Sequence, residues 1–341
     1  MESFPPYEGK PTAYLDQNIL DLLAKYDTGE LGVALVGDYQ VVYSDETLKE
    51  IKRSKGFEAK FLNVLKDLNA YHLKIILEQP NFIVTDNVTL RNRDPFEAYD
   101  EYCQNHAEGV DVDRIMMPSL FKFSGGRKGD SIADIHKDQI AAFSEMISSI
   151  AELSDELPVE MQSHLADCSE AMTSHYKSIL EETEKMMVKD IPDEKNWNGI
   201  KDFRNHIRIG PKQLNNVEPP NTLSKIWEQF KKVPPYSNNP IDIDDFFQLK
   251  KNPLDQDQPY YNHQKVTVIY NMLNTLGYHP DSDINKERRF IAAMSDNSHA
   301  SYASFCHVLL SNDESFIKKV GAAYEYLAIP TLVKHIIINH G

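Results

Sequence analysis

Residues 12–26 read TAYLDQNILDLLAKY, and the change of pattern inside this stretch decides the fold class. TAYL is a short apolar run that ends on Asp16. Beyond it, Ile19, Leu22, Leu23 and Tyr26 fall at i, i+3, i+4 and i+7, one face of a helix. The alternation then repeats. VALVGDYQVVYS (33–44) reads as extended, with Ser44 or Asp45 as the N-cap of a helix in DETLKEIKRS (45–54). FEAKFLNVLKDLNA (57–70) reads as an amphipathic helix and YHLKIIL (71–77) as a buried strand. Strands alternating with helices predict an α/β fold with a parallel sheet.

Beyond Pro80 the rhythm changes. FIVTDNVTL (82–90) has strand character, but most of the chain to about residue 260 reads as helices and loops. DQIAAFSEMISSIAEL (138–153) and the stretch from about Pro158 to Val188 are long helical candidates. Helix–strand alternation returns near Tyr261. QKVTVIYNMLNTLG (264–277) reads as a helix closed by Gly277, KERRFIAAM and SHASYASF as helical, and CHVLLS (306–311) as a strand. ESFIKKVGAAYEYL (314–327) follows as a helix and TLVKHIII (331–338) as a closing strand. The expected organisation is one discontinuous α/β domain, 12–78 with 262–341, carrying a mostly helical insertion over 79–261 that serves substrate or partner binding.

Of the 341 residues, 41% are apolar and 26% charged, the composition of an ordinary globular chain. No run approaches the roughly 18 apolar residues of a membrane span. MESFPPYEGKP lacks the basic and apolar regions of a secretory signal, and the three cysteines form no framework, so a cytoplasmic setting is expected. The net charge of −16 argues against avid, nonspecific binding of nucleic acid, yet an acidic metal site is compatible with it.

Four acids stand where chemistry is expected. Asp16 follows the first strand, Glu50 lies in the helix after the second, Asp296 opens DNSHASYASF, and Asp313 follows the late strand. Asp45 and Glu46 remain rivals of Glu50. In open α/β sheets, ligands bind beyond the carboxyl ends of strands. Carboxylates gathered there repel one another unless a cation lies between them, and oxygen ligands suit Mg²⁺ or Mn²⁺.

Taken in order, YLDQNIL, YSDETLKEI, Asp296-x-x-His299-x-x-Tyr302-Ala303, LLSNDESF and AIPTLV resemble the stations of the PIN-domain nucleases. The resemblance implies that Asp16, Glu50, Asp296 and Asp313 are catalytic, metal-binding acids. It implies that Asn18 and Asn312 orient carboxylates or water and that His299 lies near substrate. Phosphodiester hydrolysis of RNA follows, with DNA left open, in a toxin or antiphage setting and with an inhibitory or activating protein partner. The alternative is a silent PIN-like module that scaffolds a partner through the insertion.

Two further stretches need weighing. SGGRKGD (124–130) lacks P-loop spacing and reads as a mobile solvent loop. Lys195–Lys232 gathers basic residues, Arg204 and Arg208 among them, with Trp197, Phe203 and Trp227 interleaved. It is read equally as an RNA dock or as a solvated helix face over core aromatics. Arg204-Asn205-His206 does not carry the spacing of HEPN ribonucleases.

Overall fold

The computed structural model describes residues 7–26, 29–78, 83–106, 112–152, 159–252 and 256–337. The chain begins β1 (Thr12–Leu15), α1 (Gln17–Lys25), α2 (Gly29–Asp38), β2 (Gln40–Ser44), α3 (Asp45–Arg53) and α4 (Glu58–Asp67). Next come β3 (Tyr71–Glu78), β4 (Ile83–Arg91) and α5 (Pro95–Asn105). Helices α6 (Asp113–Phe123), α7 (Ile132–Glu152), α8 (Val159–Val188) and α9 (Gly199–Ile207) follow, then α10 (Pro211–Leu214), α11 (Thr222–Phe230) and α12 (Ile243–Phe246). The last elements are α13 (Asn262–Leu276), α14 (Glu287–Ala303), β5 (Val308–Ser311), α15 (Glu314–Tyr326) and β6 (Leu332–His335).

One unit, residues 1–103, 207–281 and 292–341, carries a six-stranded sheet of order β4-β3-β2-β1-β5-β6. All neighbours pair in parallel except β3 and β4, which pair antiparallel. The N-terminal strand is therefore central. Ala13 pairs with Val41 on one side and with Val308 on the other. Every residue of TAYL and VLLS is buried, as expected of strands covered on both faces.

Alternation along the strands assigns the two faces. Ala13, Leu15, Val41, Tyr43, Val308 and Leu310 join one apolar cluster with Ile19 and Leu20 of α1, Leu48 and Ile51 of α3, and Leu62 and Leu65 of α4. Tyr14, Val42 and Leu309 point to the opposite face and are equally buried. On that face the Tyr14 hydroxyl meets α14 through His299. The helix ending at Gly277 forms as the sequence predicts: Gly277 takes φ 102°, and a Cβ there would lie 2.8 Å from the Pro211 ring.

The structure differs from the sequence reading at several points. The extended reading of residues 33–44 holds only for Gln40–Ser44, because Gly29–Asp38 is helical. VALV is apolar at every position, so it has no period to tell helix from strand, and the helix buries Leu35 while Val33 stays exposed. FIVTDNVTL does form a strand over its described part, but as an antiparallel edge, so the sheet is mixed. Its solvent-facing Asp86 and Arg91 suit an edge. KERRFIAAM and SHASYASF form one continuous helix, which puts Asp296 inside α14 rather than at the start of an element. The expected insertion, 79–261, includes β4 and residues 207–252, which belong to the sheet-bearing unit.

The second unit, residues 104–206 and 282–291, is helical. SGGRKGD is tied down in it rather than loose. Arg127 donates to Asp130 (2.5 Å) and Asp138 (2.7 Å), and the buried Lys122 ammonium donates to the carbonyls of Arg127 and Lys195. Phe123 packs edge-on against Trp197. Leu153, which ends one long helical expectation, and Pro158, which begins the other, lie outside the described residues.

Candidate active site

The chain runs from β1 to β2 and β3 on one side and later to β5 and β6 on the other. That reversal makes the β1/β5 pair a topological switch point, the place where open α/β sheets bind ligands beyond the strands' carboxyl ends. Asp16 and Asp313 follow those two ends. The Asp16 backbone N–H extends the ladder to the Leu310 carbonyl at 3.0 Å, which brings the two chain ends together.

Asp16 is 3% exposed and N-caps α1 without a side-chain cap bond. Its Oδ2 accepts from Ser311 Oγ (2.6 Å) and from Asn18 Nδ2. Asn18 Nδ2 also reaches Ser311 Oγ (3.1 Å), while Asn18 Oδ1 accepts from the Asn312 N–H (3.1 Å). Asn18 therefore holds the Asp16 carboxylate. Asn312 takes part through its backbone, and its side chain is exposed. Ser311 Oγ accepts from the Asp313 N–H at 3.0 Å, so one hydroxyl joins both acids. Asp313 Oδ1 caps α15 through the Phe316 N–H (2.9 Å), and the residue is exposed.

Behind these acids lies a buried relay. Tyr14 Oη is 2.7 Å from Ser44 Oγ and 2.7 Å from His299 Nδ1, and His299 Nε2 is 3.0 Å from Glu50 Oε2. Arg53 Nη2 donates to Glu50 Oε1 (3.1 Å) and Ser295 Oγ (2.5 Å), and Ser295 donates to Glu46 (2.6 Å). Of the rivals, Glu46 thus faces Ser295, and Asp45 pairs with His72 at 2.8 Å. His299, expected near substrate, lies inside the molecule. The ring is 0% exposed and both its nitrogens are engaged, which makes it a fixed internal group.

Electrostatics follow from this packing. Burial pushes the Asp16 carboxyl up to about 6, with the Glu50 charge adding and His299 and Ser311 opposing. Burial, then Asp16 and Asp281, hold the Asp296 carboxyl well above the ordinary range. Burial opposes the charge on His299 but is outweighed by Tyr14, Glu50 and Asp16, so its pKa rises well above the usual imidazole value. Burial also opposes ionisation of Glu50, yet His299 and Arg53 keep its pKa below the ordinary one. An imidazolium in this place would donate from Nδ1–H to Tyr14 and from Nε2–H to Glu50.

A second buried charge lies on α15. Lys319 is fully buried and donates to Asp281 (2.5 Å) and Asn274 (3.0 Å), with its ammonium 4.4 Å from the Tyr270 ring centroid. The sequence reading missed Lys319, Asp281, Tyr270, Ser311 and the Tyr14 relay. A signal existed for Lys319, which shares the apolar helix face of Phe316, Val320 and Ala323.

Comparisons with family models, curated proteins and solved structures find no match. Among the described residues, no three histidine, cysteine or carboxylate side chains form a group that could hold a metal ion as they stand. No helix there is long and apolar enough to cross a membrane. Arg204 belongs to the helical unit and Arg208 to the sheet-bearing one. Trp227 packs on Phe246 (4.9 Å) and Trp197 on Phe123 (5.8 Å), so both rings join elements together.

Proposed function

We propose that the chain is a PIN-type, metal-dependent phosphodiesterase acting on RNA, with Asp16, Glu50, Asp296 and Asp313 as its acids and Mg²⁺ or Mn²⁺ as the cation. The observation that carries this reading is the joining of Asp16 and Asp313 through Ser311 at the β1/β5 switch point. Asp296 couples to Asp16 by mutual repulsion, and repulsion of that kind is relieved by a cation. The buried Tyr270 hydroxyl has no hydrogen-bond partner and lies in the field of Asp296, Asp313 and Asp16. In this reading Asp16, Asp296 and Asp313 would hold a hydrated divalent ion, with Glu50 as ligand or partner through water.

When bound, such an ion supplies an activated water and stabilises the two oxygens of an in-line phosphoryl displacement. The protein's own contribution is orientation. Ser311 and Asn18 fix the Asp16 carboxylate, and Asn18 ties α1 to the end of β5. Arg53 and His299 hold Glu50 ionised at the rim. Asp313 keeps one oxygen on its helix cap and presents the residue to solvent. A growth-arrest or antiphage role rests on family analogy alone.

The deciding test is cleavage of labelled single-stranded RNA with Mn²⁺ and with EDTA. Asp313→Asn should abolish Mn²⁺-dependent cleavage, and cleavage by that variant at the parent rate removes Asp313 from the mechanism. One observation favours a second reading, a silent PIN-like scaffold: Glu50 is already paired with Arg53 and His299. Absence of both Mn²⁺ binding and cleavage in the parent selects that reading.

A further inference from the structure

Residues 49–60 read KEIKRSKGFEAK and span the end of α3, a tight turn and the start of α4. Five cations, Lys49, Lys52, Arg53, Lys55 and Lys60, stand there against two carboxylates, Glu50 and Glu58. The stretch is thus locally +3 in a chain whose net charge is −16. Its turn is tied at both ends. Ser54 Oγ donates to the Ile51 carbonyl at 2.6 Å, and the Gly56 N–H donates to Glu58 Oε2 at 2.6 Å. Lys55 and Gly56 take φ of 33° and 89°, where glycine is at ease and lysine is uncommon.

This turn carries Phe57 outward. Its ring is 60% exposed, whereas Phe61, one turn along α4, is 7% exposed and joins the apolar core. Lys55 lies two residues before the ring, and the Lys60 N–H returns to the Phe57 carbonyl at 3.0 Å. Both lysines are exposed, and neither is tied in an ion pair among the described residues. The basic stretch 195–232 differs, because Trp197 and Trp227 are packed on Phe123 and Phe246.

An exposed ring flanked by untied cations suits single-stranded nucleic acid. Every base has a face that stacks, and the neighbouring phosphates meet ammonium groups. A membrane surface asks for a broader apolar face, and the neighbours of Phe57 are Gly56 and Glu58. The same α3 carries Glu50 and Arg53, and Arg53 reaches Ser295 of α14. Helix rise and chain reach place the Phe57 Cα within about 17 Å of that of Glu50.

We propose that the α3–α4 turn is a docking platform for single-stranded RNA: Phe57 stacks on a base, and Lys55 and Lys60 hold the phosphates beside it. The ligand rests on the RNA reading above, and no metal takes part.

The test is binding of a fluorescein-labelled oligouridine to the full chain in EDTA, followed by anisotropy across a range of salt. Phe57→Ala should bind about fivefold or more weakly than the parent. Phe57→Tyr, which keeps the ring, should bind like the parent. Lys55→Gln with Lys60→Gln should lower the slope of log affinity against log salt by about 1.4, at ~0.7 for each phosphate contact. All three variants should melt at the parent temperature, because the side chains are exposed. Parent-like affinity in Phe57→Ala, or an unchanged slope in the lysine variant, overturns the inference and leaves the RNA reading to its own cleavage assay. A parent that binds no RNA in EDTA overturns it too, whatever Mn²⁺-dependent cleavage shows. Weaker binding that comes with a lower melting temperature points to a structural role and also overturns it. Binding to vesicles of anionic phospholipid that Phe57→Ala abolishes, with RNA binding unaltered, identifies a membrane contact instead and overturns it as well.

Discussion

Replacing Asp16 by asparagine should stabilise the metal-free protein at neutral pH. The Asp16 carboxyl is raised from 3.8 to about 6, chiefly by burial. For an acid, a folded-state pKa above the unfolded one means that the folded state binds the proton more tightly. Stability therefore falls as pH rises through the window from about 4 to 6, and the full cost is present above it. Two pKa units at 1.36 kcal/mol each give a cost of roughly 3 kcal/mol. Asparagine keeps an oxygen that can accept from Ser311 and Asn18 but carries no charge. Loss of the attraction to His299 offsets part of the gain, so the figure is an upper bound. The assay is urea unfolding of both proteins in EDTA across that range of pH. The stability gap should be near zero at the acidic end, open across the window, and reach at most roughly 3 kcal/mol at neutral pH. Mn²⁺ at a hundredfold excess over Kd should then raise the parent by about 2.7 kcal/mol and the variant much less. A gap that is flat with pH, or a variant less stable throughout, refutes the reasoning that burial of this charge is costly.

Four more outcomes can be checked together. His299→Ala leaves the Glu50 charge and the Tyr14 hydroxyl without their buried partner, and should lower stability by about 3–5 kcal/mol in chemical unfolding. Because the His299 pKa is raised, its contribution is complete below the unfolded imidazole value and is lost only as pH rises through the higher folded one. Nitrogen chemical shifts should therefore show an imidazolium at pH 7, and a neutral ring there sinks the assignment. Leu309→Ala, in the middle of a fully buried strand, should cost about 2–5 kcal/mol, and a smaller loss would mean that the sheet repacks. Charge reversal at Arg204 and Arg208 should weaken RNA binding and flatten its salt dependence. Unchanged affinity and salt slope exclude these two residues from the substrate path.

The sequence carried the frame of the fold because the deciding signals were local. TAYL followed by a helical period placed β1 and α1, and Gly277 placed the end of α13. VALV misled because it is apolar at every position and so has no period. The direction of β4 was hidden because an edge strand reads the same in a parallel or an antiparallel pair. At the candidate site, Asp16 and Asp313 were visible as acids ending strands, but Ser311, which joins them, looks like any residue at a strand end. The role of His299 could not be read from spacing, since burial of both its nitrogens depends on Tyr14 and Glu50, far away in the chain. Lys319 carries no motif that marks it, although its neighbours on the helix face are apolar.

The pairing of β1 with β5 also sets a timetable for synthesis. Asp16 and Ser311, bonded in the finished protein, are 295 residues apart in the chain. At roughly 5–20 residues per second, a ribosome needs on the order of 15–60 s to travel between them. Throughout that interval β1 has β2 on one side and no partner on the other, and loop closure over such a span makes the final pairing slow. A nascent chain lacking its last quarter has neither β5 nor Asp313, and cannot assemble the acid cluster however well its first half has folded. The open edge of β1 is meanwhile a natural binding surface for a chaperone. A translation product truncated before β5 should be inert in any assay of the site and should be prone to aggregate.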